Sequence, residues 1–271
     1  MESATQPTLW HITISHYSEK ARWALDYKAI PYRLRAPVPG AHIPVALWLT
    51  RGRHHTVPVL ELGGERIGDS TAIIAALEER YPEPPLYPRV PAQRQRALAL
   101  EEWFDEELGP YMRRFVFHEL GCDPERFAEV GAKAAPRAFR VMGPAGATCA
   151  RALIGVRYGA RSDDAAETAR TRVIAALDRL EAELGAGDYL VGESFSVADL
   201  TAAALLYPLV RPPEAYVTID HMPEPVEQLR AQMRERRGYR WVEEMFRRHR
   251  PPAEASRGTG TEVPTQSEVQ R

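Results

Sequence analysis

The segment from residue 56 to residue 70 constrains the fold more than any other part of the chain. Its sequence, TVPVLELGGERIGDS, predicts a strand entered through the Val57-Pro58 bond, a tight turn at Gly63-Gly64 and a second short strand. Asp69-Ser70 then precede an apolar-periodic run, which is the pattern of a capped helix start. The free amides and the carboxylate of such a helix start suit the headgroup of an amino acid. The segment therefore predicts a hairpin that leads into a binding site.

A strand-helix-strand unit precedes this hairpin. Residues 9–14 predict a strand, residues 19–29 an amphipathic helix, and residues 32–35 a second strand. A proline-rich connection with a short helix near residues 45–50 follows. The order is βαβ and then ββα, which predicts a parallel strand pair with an antiparallel edge.

Prolines at 82, 84, 85, 88 and 91 predict a stiff linker and a domain boundary. Beyond it the patterns are helical, with segments at 92–120, 124–142, 164–184 and 237–250, and a capping box at Ser196 and Asp199 that starts another helix. The predicted organisation is an α/β domain at 8–81, a linker at 82–91, an all-α helical bundle at 92–250 and a disordered polar tail at 251–271.

Composition argues against several classes of partner. The formal net charge is -2, from 35 basic and 37 acidic residues, so no overall field favours nucleic acid or a membrane. Cys122 and Cys149 lack the spacing of a metal site or a redox pair. The N-terminus carries no signal-peptide pattern, and the apolar run at 197–210 is too short to span a bilayer. These features predict a cytoplasmic protein that binds no metal.

Four motifs together resemble the glutathione S-transferase superfamily, over about residues 8 to 250. Residues 15–25, SHYSEKARWAL, resemble its catalytic loop and first helix. Residues 57–60, VPVL, resemble its cis-proline strand, and residues 69–73, DSTAI, its acid-serine pair. Residues 189–200, YLVGESFSVADL, resemble the capping box of its helical domain. Each motif alone is weak, but four in this order are specific.

The resemblance implies a thioredoxin-like domain before the helical bundle, a homodimer, and glutathione or a related thiol as cosubstrate for attack on a small electrophile. Ser15 occupies the position that is serine in zeta-like members and cysteine in omega- and beta-like members. Disulfide exchange needs a protein thiol, so thiol transfer or isomerisation is expected rather than disulfide reduction. Lysine occurs only at Lys20, Lys28 and Lys133, an arginine bias typical of a GC-rich bacterial genome, and some such bacteria use thiols other than glutathione.

The residues leave the thiolate donor open. The hydroxyl of Ser15 is the leading candidate, Tyr17 is the runner-up, and Ser15 or Ser18 would also serve simply as the N-cap of the first helix. His16 is either a loop residue or a contact to the second substrate. All four lie directly after the first predicted strand.

The resemblance also assigns the rest of the thiol site. Asp69 and Ser70 would hold the γ-glutamyl group, and the backbone of Val57 beside Pro58 would pair with the cysteinyl part. Arg53 and His55 are candidate partners for the glycine carboxylate, with a solvated basic loop as the alternative. The family often has Lys or Gln close to Val-Pro, whereas His55-Thr56 stand here.

The second substrate is expected against the helix predicted at 92–120. Glu107 and four residues after it share one helical face that mixes aromatic, Arg and His side chains. The four predicted pocket residues are Tyr111, Arg114, Phe115 and His118, with Tyr207 and Arg211 as weaker candidates. Arg113-Arg114 would also suit a dicarboxylate, as in zeta-like isomerases. The alternative is that this face packs between domains or against a second subunit.

Three functions follow from these features. The leading one is a glutathione or other thiol transferase or isomerase. The second is a non-catalytic interaction module on the same fold, and the third is a ligand-binding or biosynthetic protein that uses the interdomain pocket without a thiol. Thiol binding that depends on Asp69 separates the first from the other two.

Overall fold

A computed structural model describes residues 6–37, 41–134 and 136–251. The chain begins with a four-stranded sheet and three helices. In chain order these are β1 Thr8–Trp10, α1 His16–Tyr27, β2 Arg33–Arg35, α2 His42–Leu49, β3 Val59–Leu62, β4 Glu65–Gly68 and α3 Ser70–Arg80. The order confirms the predicted βαβ-ββα arrangement of a thioredoxin-like domain.

The sheet has the strand order β2-β1-β3-β4. Leu9 of β1 lies opposite Leu34 in a parallel pair and opposite Leu60 in an antiparallel pair. Gly63 and Gly64 turn the chain between β3 and β4 at φ values of 57° and 83°, which only glycine adopts without strain. The predicted hairpin is therefore present, and the Val57-Pro58 peptide bond before it is cis.

The first strand is shorter than the sequence predicts. The prediction continued to Ile14, but β1 ends at Trp10 and the segment up to α1 is a loop. Its carbonyl groups bind side chains instead of a neighbouring strand: Arg22 donates to Thr13 O at 3.1 Å, and the Tyr207 hydroxyl donates to Ile14 O at 2.9 Å.

The remainder of the described chain is helical, which confirms the predicted bundle. Its helices are α4 Pro91–Glu107, α5 Gly109–Cys122, α6 Pro124–Ala134, α7 Pro136–Arg157, α8 Asp163–Leu184, α9 Val197–Val210, α10 Glu224–Met233 and α11 Arg237–His249. Every residue of α9 except Pro208 is buried, and α9 packs against α1, α4 and α11. The capping box is present, because Ser196 N donates to Asp199 Oδ2 at 2.8 Å.

The single helix predicted over residues 92–120 is wrong, because α4 ends at Glu107 and α5 begins at Gly109. Pro110 has no N–H to continue the ladder of α4. Gly109 permits a close approach, since a Cβ there would lie 2.1 Å from the Tyr17 hydroxyl oxygen. The helix predicted over residues 124–142 is likewise divided, with α6 ending at Ala134 and α7 beginning at Pro136.

A buried charge network joins the end of α11 to α1. Arg250 Nε lies 2.7 Å from Glu19 Oε1, and Arg22 Nη2 lies 2.7 Å from Glu19 Oε2. Arg250 also pairs with Asp26. Burial raises the pKa of Glu19, but the guanidinium groups of Arg250 and Arg22 outweigh it and hold that pKa at about 2. The carboxylate is therefore charged at neutral pH.

No helix in the described ranges is long and apolar enough to cross a membrane. The segment between α3 and α4 holds neither helix nor strand, and the boundary predicted there stays a prediction. Residues 252–271 of the tail predicted to be disordered lie outside the described residues.

Candidate functional site

A cavity of about 750 Å³ lies between the sheet domain and the helical bundle. One side is formed by the starts of α1 and α3 and by the cis-proline segment, and the other by α4, α5 and α9. Eight of the predicted site residues line it: Ser15, His16, Tyr17, His55, Val57, Pro58, Asp69 and Ser70. Tyr207 and Arg211 line it as well. The tertiary structure thus brings most of the predicted thiol site together.

Ser15 is both the N-cap of α1 and a cavity residue. Its Oγ accepts a hydrogen bond from Ser18 N at 3.3 Å. Accepting uses a lone pair, so the hydroxyl hydrogen is left to donate toward the cavity. The dipole at the start of α1 favours negative charge at the same place. Capping and thiolate stabilisation are therefore compatible at this residue.

The other two candidate donors are placed differently. Ser18 is fully buried away from the cavity, where its Oγ accepts from Ile12 N at 3.2 Å. Tyr17 lines the cavity, but its hydroxyl donates to Asp105 O at 2.8 Å. Burial, reinforced by Asp105, raises the pKa of Tyr17. Its proton is thus already engaged by a backbone carbonyl.

Arg22 supports the loop that presents Ser15. Its guanidinium contacts His11 Nδ1 at 2.7 Å and lies 4.4 Å from the centre of the Tyr216 ring. Burial, together with the charge of Arg22, lowers the pKa of His11, so this imidazole stays neutral and can accept from the guanidinium. Together with its bond to Thr13 O, this contact fixes the loop against α1.

The start of α3 has a strained backbone. Asp69 adopts a φ of 77°, and its Oδ1 accepts from Thr71 N at 2.9 Å and Ala72 N at 3.2 Å. Ser70 is buried and lines the cavity. Thr71 Oγ1 donates to Asp105 Oδ2 at 2.6 Å, which connects α3 to α4. A carboxylate, a hydroxyl and a helix N-terminus therefore converge on one wall.

Lys20 lies behind this wall and contacts residues of both α3 and α4. Its Nζ lies 2.6 Å from Asp105 Oδ2, 2.8 Å from Glu101 Oε1 and 2.8 Å from Thr71 Oγ1. Burial raises the pKa of Glu101 despite the nearby ammonium group. These contacts hold α1, α3 and α4 in fixed positions around the cavity.

The cis-proline segment leaves backbone available to a ligand. The ladder between β1 and β3 ends at the Trp10–Val59 pair, so Val57 lies beyond it and faces the cavity. His55 lines the cavity, whereas Arg53 is exposed and lies outside it. His42, at the start of α2, also lines it, and burial lowers its pKa. No sequence pattern identified His42, because only the fold brings α2 to the cavity.

The predicted substrate residues on α5 lie on its other side, against α8, and do not line the cavity. Phe115 is buried in the core, and His118 Nδ1 is 3.3 Å from Ala160 O. Tyr111 contacts Arg172 of α8, whose guanidinium lies 5.5 Å from its ring centre, and Arg114 Nε donates to Tyr158 O at 3.3 Å. The four residues do share one face of α5, as their spacing predicted, but that face packs within the helical bundle.

The cavity is lined instead by the opposite face of α5. The side chains there are Met112, Arg113, Val116, Phe117 and Leu120. Burial, together with the charge of Arg113, lowers the pKa of His16 to about 3, so His16 is neutral at physiological pH. Sequence reasoning missed this face because both faces of α5 mix aromatic and cationic side chains, so composition alone does not tell which one meets the cavity.

Two sequence profiles match the chain: glutathione S-transferase N-terminal domain over residues 9–85 and glutathione S-transferase C-terminal domain over residues 163–231. FtsZ-localized protein A of Caulobacter vibrioides is 27% identical over 206 residues, 75% of this chain and 77% of that protein. Maleylacetoacetate isomerase of Dictyostelium discoideum is 28% identical over 198 residues, 71% of this chain and 74% of that protein.

A solved structure shows the same fold. The theta class glutathione S-transferase from Xanthomonas axonopodis pv. citri, solved with glutathione bound, superposes with a TM-score of 0.56 at 22% identity. The match covers 88% of this chain and 97% of that one.

Proposed function

The chain belongs to the glutathione S-transferase family, and from that premise we propose that it is a thiol-dependent transferase or isomerase acting on a small electrophile. Glutathione or a related low-molecular-weight thiol is the cosubstrate. The observation that carries the proposal is the convergence of the Ser15 hydroxyl, the Val57 backbone and the Asp69-Ser70 helix start on one cavity.

The chemistry depends on the pKa of the bound thiol. A free thiol has a pKa near 8.5 and is mostly protonated at pH 7, yet only the thiolate attacks. When bound, the thiol supplies the nucleophile. Ser15 donates its hydroxyl hydrogen to the sulfur, and the N-terminus of α1 stabilises the negative charge. Each unit by which the pKa falls is worth about 1.4 kcal/mol.

Ser15 is preferred over the two other hydroxyl groups. The Tyr17 hydroxyl is engaged by Asp105 O, and Ser18 is buried behind the loop. Among these three described hydroxyl groups, that of Ser15 combines a cavity position, a hydrogen left to donate and a helix N-terminus. It is therefore the group we assign to the thiolate.

The remaining contacts position the thiol. Asp69 and Ser70 hold the γ-glutamyl group, and Val57 pairs with the cysteinyl backbone. His55 and His42 both line the cavity, and His55 would bind the glycine carboxylate. The similarity to maleylacetoacetate isomerase favours an isomerase or an addition reaction, and the family favours a cytoplasmic homodimer.

Thermal unfolding with and without about 5 mM glutathione tests the proposal. If the dissociation constant is about 0.1 mM, binding adds about 2.3 kcal/mol and raises Tm by about 5 to 9 °C. Asp69→Ala should abolish the shift. Ser162→Ala removes the cap of α8, where Ser162 Oγ accepts from Ala165 N at 3.3 Å, and should keep the shift. No shift with glutathione or other cellular thiols would overturn the proposal.

A second candidate is an interaction module, because the Caulobacter relative is named for its localisation to FtsZ. This function requires no thiol. A wild-type protein that shows no thiol shift would favour it, or the ligand-binding function that also needs none. Ligand binding that survives Asp69→Ala would then select the latter.

A further inference from the structure

Two arginines on the α5 side of the cavity are not neutralised. The Arg113 guanidinium lies 4.6 Å from the centre of the Tyr158 ring, and that of Arg157 lies 5.4 Å from the same ring. Within the ranges that the structure describes, neither forms an ion pair with a carboxylate. Arg211, the third cation on the wall, is paired with Glu227 and donates to Ile219 O at 3.0 Å.

Arg113 is also incompletely hydrogen-bonded. Its Nε atom is fully buried and, among the described residues, has no acceptor. A buried donor without a partner costs about 1 to 3 kcal/mol, and more when the group is charged. A bound anion would supply the negative charge that Arg113 lacks. His16, its neutral neighbour, cannot supply that negative charge.

The surroundings of Arg113 are aromatic and apolar. The Tyr17 ring lies 5.9 Å from its guanidinium, and Phe117 packs against Tyr158 at 5.1 Å between ring centres. Met112 and Val116 continue this wall. An anion that binds here must therefore carry a flat apolar body next to its charge.

Charge is segregated along the cavity. Glu102 and Glu106 lie on α4 and Asp69 at the start of α3, whereas the unpaired arginines lie on α5 and at the end of α7; Asp105 is paired with Lys20. A carboxylate on the second substrate is thus attracted to Arg113 rather than to α3 or α4. The distribution orients a substrate that has an acid at one end and its reactive carbon at the other.

We infer that the electrophile is an aromatic carboxylate, with its ring against Phe117 and Tyr158 and its carboxylate on Arg113. This rests on the proposed function, because it names the second substrate of the same cavity. 4-Chloro-3-nitrobenzoate is a probe of this class. The sulfur forms a bond to the chlorine-bearing carbon, chloride leaves with the electron pair of the broken bond, and the thiol proton passes to solvent.

Calorimetric binding of two prepared conjugates tests the inference. S-(4-carboxy-2-nitrophenyl)glutathione should bind the wild type about 10 to 100 times more tightly than its aryl methyl ester, the range expected for a charge-assisted hydrogen bond. Arg113→Gln should remove this preference by weakening only the acid. Arg172→Gln removes the same charge outside the cavity and should leave the preference intact.

The outcomes distinguish the two proposals. If glutathione raises Tm but the wild type binds acid and ester equally, the inference is overturned and the thiol function stands. Equal weakening of both conjugates by Arg113→Gln also overturns it, since Arg113 would then support the thiol or the wall. If no thiol raises Tm, the proposed function itself fails.

Discussion

The two ends of the cavity are built in different ways. The thiol end is formed by helix starts, a tight loop and an exposed backbone edge, with Ser15, Val57 and Asp69 each next to a turn or a cap. The electrophile end is formed by side chains from α5, α7 and α9 that meet only in the folded bundle. Local backbone geometry therefore defines one end, and packing between distant helices defines the other.

This difference matters for what each end can tolerate. The thiol end rests on buried polar contacts, in which Arg22 holds the loop and Lys20 joins α1 to Asp105. Removing one member of a buried polar network strongly destabilises the folded protein, because its partners are left buried without hydrogen bonds. The electrophile end is lined largely by apolar side chains. Substitutions that alter its shape or charge should therefore destabilise the fold less than substitutions at the thiol end.

The largest expected effect tests whether the thiol end depends on the residue that ends α11. Arg250→Ala removes one partner of a buried pair and should lower the free energy of unfolding by about 3 to 5 kcal/mol. Chemical denaturation measures it. Arg247→Ala, which breaks an exposed pair with Glu244, should leave the unfolding free energy essentially unchanged. Equal effects of the two variants would contradict the importance of the buried network.

Acid should weaken the same network in the wild type. The folded pKa of Glu19, about 2, lies below its ordinary value of 4.5. Its contribution to stability is therefore complete above about pH 4.5 and is lost as pH falls toward 2. Denaturation series at several pH values should show this loss, and Arg250→Ala should show less of it. An unchanged slope in the variant would exclude Arg250 as the cause.

Ser15→Ala tests the thiol end itself. Loss of one preorganised donor typically lowers kcat by about 100- to 1000-fold, and thiol affinity should change much less. Because the thiol would then need a higher pH to ionise, the rate should recover on the alkaline side. Ser15→Thr keeps both the hydroxyl and the cap and should retain most activity. Unchanged kcat in Ser15→Ala would remove Ser15 from the mechanism.

Gly109→Ala tests the junction between the two ends. The added Cβ would lie 2.1 Å from the Tyr17 hydroxyl oxygen and 2.6 Å from Cζ, so the ring must move. Such overpacking costs about 1 to 3 kcal/mol. The cost should be smaller in a Tyr17→Phe background, where the nearest oxygen is gone. Additive costs in the double variant would mean that the Tyr17 hydroxyl is not the obstacle.

Tyr17→Phe alone should have the smallest effect. It removes the hydrogen bond to Asp105 O, which is worth about 1 kcal/mol of stability. Catalysis should persist if Ser15 is the donor. A loss of kcat as large as that of Ser15→Ala would transfer the donor role to Tyr17.

Much of the fold followed from local signals. Gly63-Gly64 indicate the turn and Asp69 indicates the cap of α3, because all three residues have a positive φ, a conformation that most other residues rarely adopt. Ser196 and Asp199 identify a helix start for a different reason, since their side chains bind amides that the helix itself leaves free. The strand limit at Trp10 could not be predicted, since the side chains that bind the following carbonyls, Arg22 and Tyr207, reach them only once α1 and α9 have packed against the loop.

The sequence by itself determined the order of elements, the capped helix starts and therefore most of the thiol end, because these depend on contacts within a few residues. Only the tertiary structure decided which face of α5 meets the cavity. Helical spacing places Tyr111 and Phe115 on one side and Arg113 and Phe117 on another, and both sides mix aromatic and cationic residues. The packing of α5 on α8 buries the first and leaves the second to the cavity.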